Sequence, residues 1–274
     1  MATTMMGRLW SPMRRYARLW GYLARRSMMA QLAYRGDFLM GLARNAGYIA
    51  LAVVFYQVLF LRTDSIAGWS QSEILLLFGT FRIVKGVLYF FVEDNIGAIP
   101  DSVRSGEMDF VLLKPLSARF LLTCSRVNLG AASNALIGAG LVAYGLHALP
   151  PVHGLGAPLA YLALIACAVA IFYNILFMLM TVSFWTVKVD GLQMLFDEIL
   201  NMAGLPVSVY RGALGLLFSY LLPLGVVATV PAGVLTGRQD PIFYLYAPLF
   251  AVASAIASHW LWRKAIGSYT SAGG

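Results

Sequence analysis

Arg82 and Lys85 stand three residues apart, a spacing that puts two cations on one face of a helix. They fall in an apolar stretch that has no acidic residue between Glu73 and Glu93. An ionised side chain inside a membrane pairs with an opposite charge, lines a water-filled path or reaches the interface. Lys85 can reach an interface by extending its stem. Arg82 is nine residues from Phe91, about 14 Å at 1.5 Å per residue, which exceeds side-chain reach. Both are therefore candidates for a translocation path. Arg44 is the third cation inside an apolar stretch, and the other long stretches hold no Asp or Glu. A partner subunit, solvent or an anionic substrate group is left to supply the counter-charge.

Other chemistry finds no residues to carry it. The chain has no GxxxxGK[ST] loop for nucleotide phosphates, and no HExxH, GxSxG or repeated Asp motif for hydrolysis or phosphotransfer. Cys124 and Cys167 form no CxxC, and His147, His153 and His259 are scattered, so neither a metal site nor a disulfide framework is implied. No catalytic group and no cofactor is expected on this chain.

Two polar connectors are long, Glu93 to Asn128 and Thr186 to Gly212. In the first, Ile96, Ile99 and Val103 recur at helical spacing, so a short amphipathic helix over Asn95 to Gly106 presents one apolar face. Gly106 is expected to end it, and Lys114-Pro115 to start a turn. In the second, Leu192, Leu195, Ile199 and Met202 mark an apolar face, with Asp190, Asp197 and Glu198 elsewhere. Either helix rests on the membrane or docks a partner.

These residues need a scaffold, and the composition names its solvent. At 60% hydrophobic and 12% charged residues, the chain has about half the charge of a soluble domain. The apolar residues come in blocks near the 20 or so that cross a bilayer as a helix. Six such spans are expected: Phe38 to Leu61, Ile74 to Val92, Leu129 to Leu149, Leu159 to Trp185, Ala213 to Val230, and Tyr244 to Trp262. Residues 1–37 form an interfacial segment, 38–262 the transmembrane domain and 263–274 a tail. The first segment carries Arg8, Arg14, Arg15, Arg18, Arg25, Arg26 and Arg35 interleaved with Tyr16, Leu19, Trp20 and Leu23, a pattern for a helix lying among headgroups. The net charge of +8 follows the spans and so indicates an anionic membrane surface, not nucleic acid.

Basic residues also give the orientation. With the amino terminus inside, that side holds the seven arginines, Arg104, Lys114, Arg119 and Arg126, then Lys188 and Arg211, then Arg263 and Lys264. The other side holds Arg62 and Arg238. Both termini are therefore expected in the cytoplasm. The fifth span is irregular, because Pro223 interrupts it and Pro231 follows. A helix ending near Pro223 and then a re-entrant outer segment are expected. In the third span, Ala131, Ala135, Ala139 and Ala143 make a small-residue stripe that allows close packing.

The segment from Val103 through Arg104, Gly106, Glu107, Asp109, Lys114 and Pro115 to Leu116 resembles the signature of a six-span branch of the type-2 ABC exporter permeases. Leu222-Pro223, Val230-Pro231-Ala232 and the ending from Trp262 to Gly274 are similar to that branch too. The resemblance runs from about Gly36 to the last residue. It implies a non-catalytic permease in a bacterial cytoplasmic (inner) membrane, paired with an identical or related permease. A separate nucleotide-binding ATPase would hold ATP and Mg and drive export. The connector then becomes a coupling helix seated in an ATPase cleft, with Ile96, Ile99, Val103, Arg104 and Glu107 as coupling residues. An amphiphile, a lipid-linked molecule or a drug would suit such an exporter as substrate. The alternative is an ATP-independent channel or secondary carrier.

Overall fold

The computed structural model describes residues 2–33, 35–150, 155–186, 191–238 and 241–270. His153, Lys188, Asp190, Gln239, Asp240 and the last four residues lie outside the described residues. The described chain is helical, and no β-sheet forms within it. Its first half runs α1 (Ala2–Ala33), α2 (Arg35–Phe60), α3 (Gln71–Leu88), α4 (Ile99–Ser105), α5 (Glu107–Leu112), α6 (Ala118–Cys124) and α7 (Leu129–His147). The second half runs α8 (Gly156–Thr181), α9 (Leu192–Asn201), α10 (Gly212–Leu216), α11 (Leu224–Val227), α12 (Thr229–Leu235) and α13 (Phe243–Ser268).

Five helical stretches are long and apolar enough to cross a bilayer: Phe38–Phe60, Gln71–Ser105, Leu129–His147, Gly156–Phe184 and Phe243–Ser268. The region expected as a fifth span is not one helix. It runs from Gly212 only to Leu221, ending in a π-helical turn. Those ten residues rise about 15 Å, half a bilayer. The helix stops beside Pro223, where the sequence placed its end. α11 and α12 follow, and Leu224, Val226, Val227 and Ala232 are almost fully buried in them. Pro231 sits in the first turn of α12, where a missing N–H costs no intrahelical bond.

α3 is the axis of the fold. At its start the Ser70 backbone N–H donates to Glu73 Oε2 at 2.8 Å, and Arg238 Nε donates to Glu73 Oε1 at 2.6 Å. Both oxygens of a buried carboxylate are thus satisfied, and the loop after α12 is tied to the start of α3. Leu76, Leu77, Phe78, Phe81 and Val84 then turn into the core. α3 packs on α7 at backbone contact distance. A Cβ on Gly79 would stand 2.7 Å from the Gly138 carbonyl oxygen, and one on Gly86 would stand 2.5 Å from the Ala135 nitrogen.

The α7 contact face corrects the alanine stripe. Ala131, Asn134, Gly138, Val142 and Gly145 are buried, whereas Ala139 and Ala143 are exposed. A four-residue step overshoots the helical turn by about 40°, so the stripe rotates off the interface within three steps. The buried set, at spacings of three and four, follows the 3.6-residue period.

α1 spends its semi-buried stripe on the chain itself. The Tyr16 ring meets Phe120 at 4.8 Å, Trp20 lies 6.0 Å from Phe91, and Ser27 Oγ donates to the Val127 carbonyl at 3.0 Å. Gln31 Oε1 accepts the Leu129 backbone N–H at 2.9 Å, capping the start of α7. Arg15, Arg18, Arg25 and Arg26 stay on the exposed face. α2 packs Ile49 and Tyr56 into the core and turns Leu51, Phe55 and Val58 outward, each more than half exposed, as suits a helix with one face solvated by lipid.

Candidate functional site: a cationic cavity and the connector beneath it

Past Leu88, α3 does not stop. A π-helical turn, Tyr89–Glu93, and a short turn, Asp94–Ile96, carry it into the connector. Gly106, at φ 77°, ends α4 in the left-handed region that glycine enters without steric cost. That stop is where the sequence predicts it.

The apolar face of this segment turns inward. Ile96 and Ile99 are 0% exposed and Val103 packs against the same core. The periodicity marks an apolar face correctly, but this chain buries that face in itself. What the segment shows to its surroundings is Asp101, Arg104, Glu107 and, on α5 and just after it, the large apolar side chains Phe110 and Leu113 at 70% and 81% exposure. Arg104 pairs with Asp101 on the surface.

Above the connector lies a cavity of about 900 Å³, bounded by α1, α2, α3, α7 and α9. Arg44, Arg82 and Lys85 all border it, together with Asn45, Tyr48, Asn134 and Asn201. Glu93 and Asp94 border its connector end. Arg82 is only 3% exposed. Its Nη2 donates to Asn45 Oδ1 at 3.0 Å, its guanidinium lies over the Tyr48 ring at 5.4 Å, and its Nε has no hydrogen-bond partner. Among the described residues no carboxylate lies within ion-pair distance of Arg82, Arg44 or Lys85.

α9 fastens the lower half of α3. Lys85 Nζ donates to Asn201 Oδ1, the Tyr89 hydroxyl donates to Asp197, and the Gln193 side chain lies so close to Gly97 that a Cβ there would overlap it. Burial raises the Asp197 carboxyl above its ordinary range, with Glu198 adding to the shift and Tyr89 and Lys85 opposing it. The buried face of α9 is Phe196, Leu200 and the following Ala203, while Leu195 is 55% exposed. The face read from Leu192, Leu195, Ile199 and Met202 is thus rotated by part of a turn.

A model of the family described as ABC-2 family transporter protein matches residues 46–273. The chain belongs to that family. Neither a curated protein nor a solved structure matches it. As a member of the ABC-2 transporter family with five bilayer-length helices, it is a multi-pass membrane protein whose family forms the membrane component of transporters.

Two features of this family member escaped the sequence reading. One is the set of asparagines. Asn45, Asn134, Asn174 and Asn201 all sit at buried or half-buried positions, and for the first three a polar side chain in an apolar block is a signal in its own right. The other is Arg119, counted only as a connector charge. Its guanidinium donates to the Tyr173 hydroxyl at 3.0 Å, Asn174 Oδ1 at 2.8 Å and Ser258 Oγ at 2.8 Å. It lies 4.5 Å from the Phe177 ring centroid as well. One side chain on α6 thus ties α8 to α13. Among the described residues, no group of three His, Cys, Asp or Glu side chains gathers to hold a metal.

Proposed function

We propose that this chain is the permease subunit of an ATP-binding-cassette exporter, working with a second permease and a separate ATPase that binds ATP and Mg. The observation that carries the reading is the continuous helical run Gln71–Ser105. It joins the exposed connector tip to the cavity at Arg82, so a push on the tip reaches the cavity through one packed element. Two-state packing of such an element is what coupling between distant sites requires.

In this reading the connector end faces the cytoplasm and both chain termini lie there, in keeping with the charge asymmetry of a bacterial inner membrane. The helix Gly212–Leu221 with α11 and α12 serves as the sixth membrane element, a half-length span followed by a re-entrant outer segment at Pro223 and Pro231. Irregular backbone at that depth is tolerable because the core covers it. Arg104 and Glu107 meet the ATPase directly, with Phe110 and Leu113 beside them. Ile96, Ile99 and Val103 transmit from inside. Arg82 and Lys85 line the path.

The test is co-expression with candidate ATPases, purification through a tag on this chain, and measurement of ATP hydrolysis in lipid. A stoichiometric ATPase whose turnover responds to a transported compound is the expected result. A chain that moves a substrate in vesicles with no ATPase present is a channel or carrier, and that outcome would overturn the proposal.

A further inference from the structure

The cavity poses an electrostatic problem that the chain does not solve by itself. Arg44, Arg82 and Lys85 border one space of about 900 Å³, a volume that suits a small molecule or a lipid headgroup. Lys85 is offset within the chain, because Asp197 acts on it across α9, whereas the acids bordering the space, Glu93 and Asp94, follow Arg82 by eleven residues or more along a helical run, about 16 Å. Arg126, also at that end, partly offsets them. The part of the cavity bordered by Arg44 and Arg82 is therefore cationic.

The hydrogen bonding is incomplete at the same place. Arg82 Nε and Asn134 Oδ1 are both buried without a partner. Arg82 has five N–H donors, and the Asn45 oxygen takes one of them. A buried guanidinium with a single neutral acceptor is costly to keep. A neutral ligand would leave the charge uncompensated, and a cation would add to it.

We infer that this cavity binds an acidic group, a phosphate or a carboxylate, through Arg44 and Arg82, with Asn45 holding Arg82 in place. The permease reading supplies only the purpose of the site, as the place where the acidic end of a cargo is held. The same chemistry recognises the headgroup of an anionic amphiphile and a free small anion. Guanidinium groups suit both, since their planar donor fork matches two oxygens of either group.

The experiment uses the full chain, purified in maltoside micelles without an ATPase, and radiolabelled dodecyl phosphate as probe. Unlabelled dodecyl phosphate, dodecylphosphocholine and inorganic phosphate serve as competitors. Saturable binding near one equivalent is expected, with at least tenfold weaker binding for Arg44→Gln and for Arg82→Gln, and none lost for Arg62→Gln. Arg82→Lys should recover part of the affinity. Arg44 is exposed, so its variant folds whether or not Arg82→Gln does, and it decides the matter if Arg82→Gln aggregates. Competition by inorganic phosphate equal to that of dodecyl phosphate identifies a free-anion site. Competition by dodecyl phosphate alone identifies an amphiphile site. The inference is overturned if zwitterionic dodecylphosphocholine competes as well as dodecyl phosphate, or if Arg44→Gln binds like the parent. Because no ATPase takes part, failure here leaves the permease reading standing, and failure to recruit an ATPase leaves the anion site standing.

Discussion

Gly79 of α3 and Gly138 of α7 meet so closely that neither position has room for a methyl group. A Cβ on Gly138 would stand 2.6 Å from the Gly79 carbonyl oxygen, and the obstacle is backbone, which cannot swing aside. This contact holds α3 against α7 along the cavity wall. Gly138→Ala should therefore destabilise the purified protein by about 1–3 kcal/mol, the range for overpacked cores. Gly140, two residues on, faces open space, with nothing within 4 Å of where a methyl group would sit. Gly140→Ala should be neutral or stabilising by up to about 1 kcal/mol. Thermal unfolding in detergent separates the two, and equal effects would mean that the helices are not packed in this register.

At the other end of α3, Glu73 is buried while Arg238 is half exposed. Arg238→Ala strands a buried carboxylate and should cost about 1–2 kcal/mol, less than a fully buried pair because solvent screens one partner. Glu73→Gln combined with Arg238→Gln should recover most of that loss, since no charge is left unpaired. A double variant as unstable as Arg238→Ala would show that lost packing, not the unpaired charge, sets the cost.

Arg119 serves three acceptors on two helices. Arg119→Ala removes the guanidinium from buried Asn174 and Ser258 and should lower stability by about 1–3 kcal/mol. Arg119→Lys should recover only part, because an ammonium cannot span the three acceptors as a planar fork does. Melting temperatures of the two variants test this, and full recovery by lysine would reduce Arg119 to a simple charge.

Asp197 gives α9 a pH dependence of unusual sign. Its carboxyl is raised above 3.8 mainly by burial, so the folded protein holds the proton more tightly than the unfolded chain does. The contribution of this group is greatest below the ordinary aspartate range and diminishes as pH rises through the raised value. Hydrogen exchange of residues 192–201 should therefore quicken from acid toward neutral pH beyond the intrinsic chemical increase. Asp197→Asn should flatten that extra dependence. A parent and variant with the same profile would show that the carboxylate does not control the docking of α9.

The connector separates a folding role from a docking role by exposure. Ile99→Ala, made in a fully buried side chain, should cost the permease itself about 2–5 kcal/mol. Phe110→Ser and Leu113→Ser alter exposed positions and should leave the isolated chain as stable as the parent while weakening ATPase recovery at least tenfold. ATPase recovery unchanged by both serine variants would remove this surface from the contact.

The sequence by itself determined the solvent, the number of bilayer-length blocks to within one, the stop at Gly106 and the break at Pro223. Each of these follows from a local cause: the length of an apolar run, or a residue with restricted or unusual backbone freedom. The three in-span cations were legible for the same reason, since a charge among apolar residues stands out without any knowledge of the fold. Tertiary structure alone decided what each face meets. Ile96, Ile99 and Val103 mark a face by their period, and only packing turned that face into the chain's own core and left Phe110 and Leu113 outside. Arg44, Arg82 and Lys85 are separated by up to forty-one positions in the chain, and their convergence on one cavity depends on how α2 and α3 cross. Periodicity fixes a side chain's angle about its own helix. The partner across that angle is set by the summed packing of all the helices, which no single stretch of sequence contains.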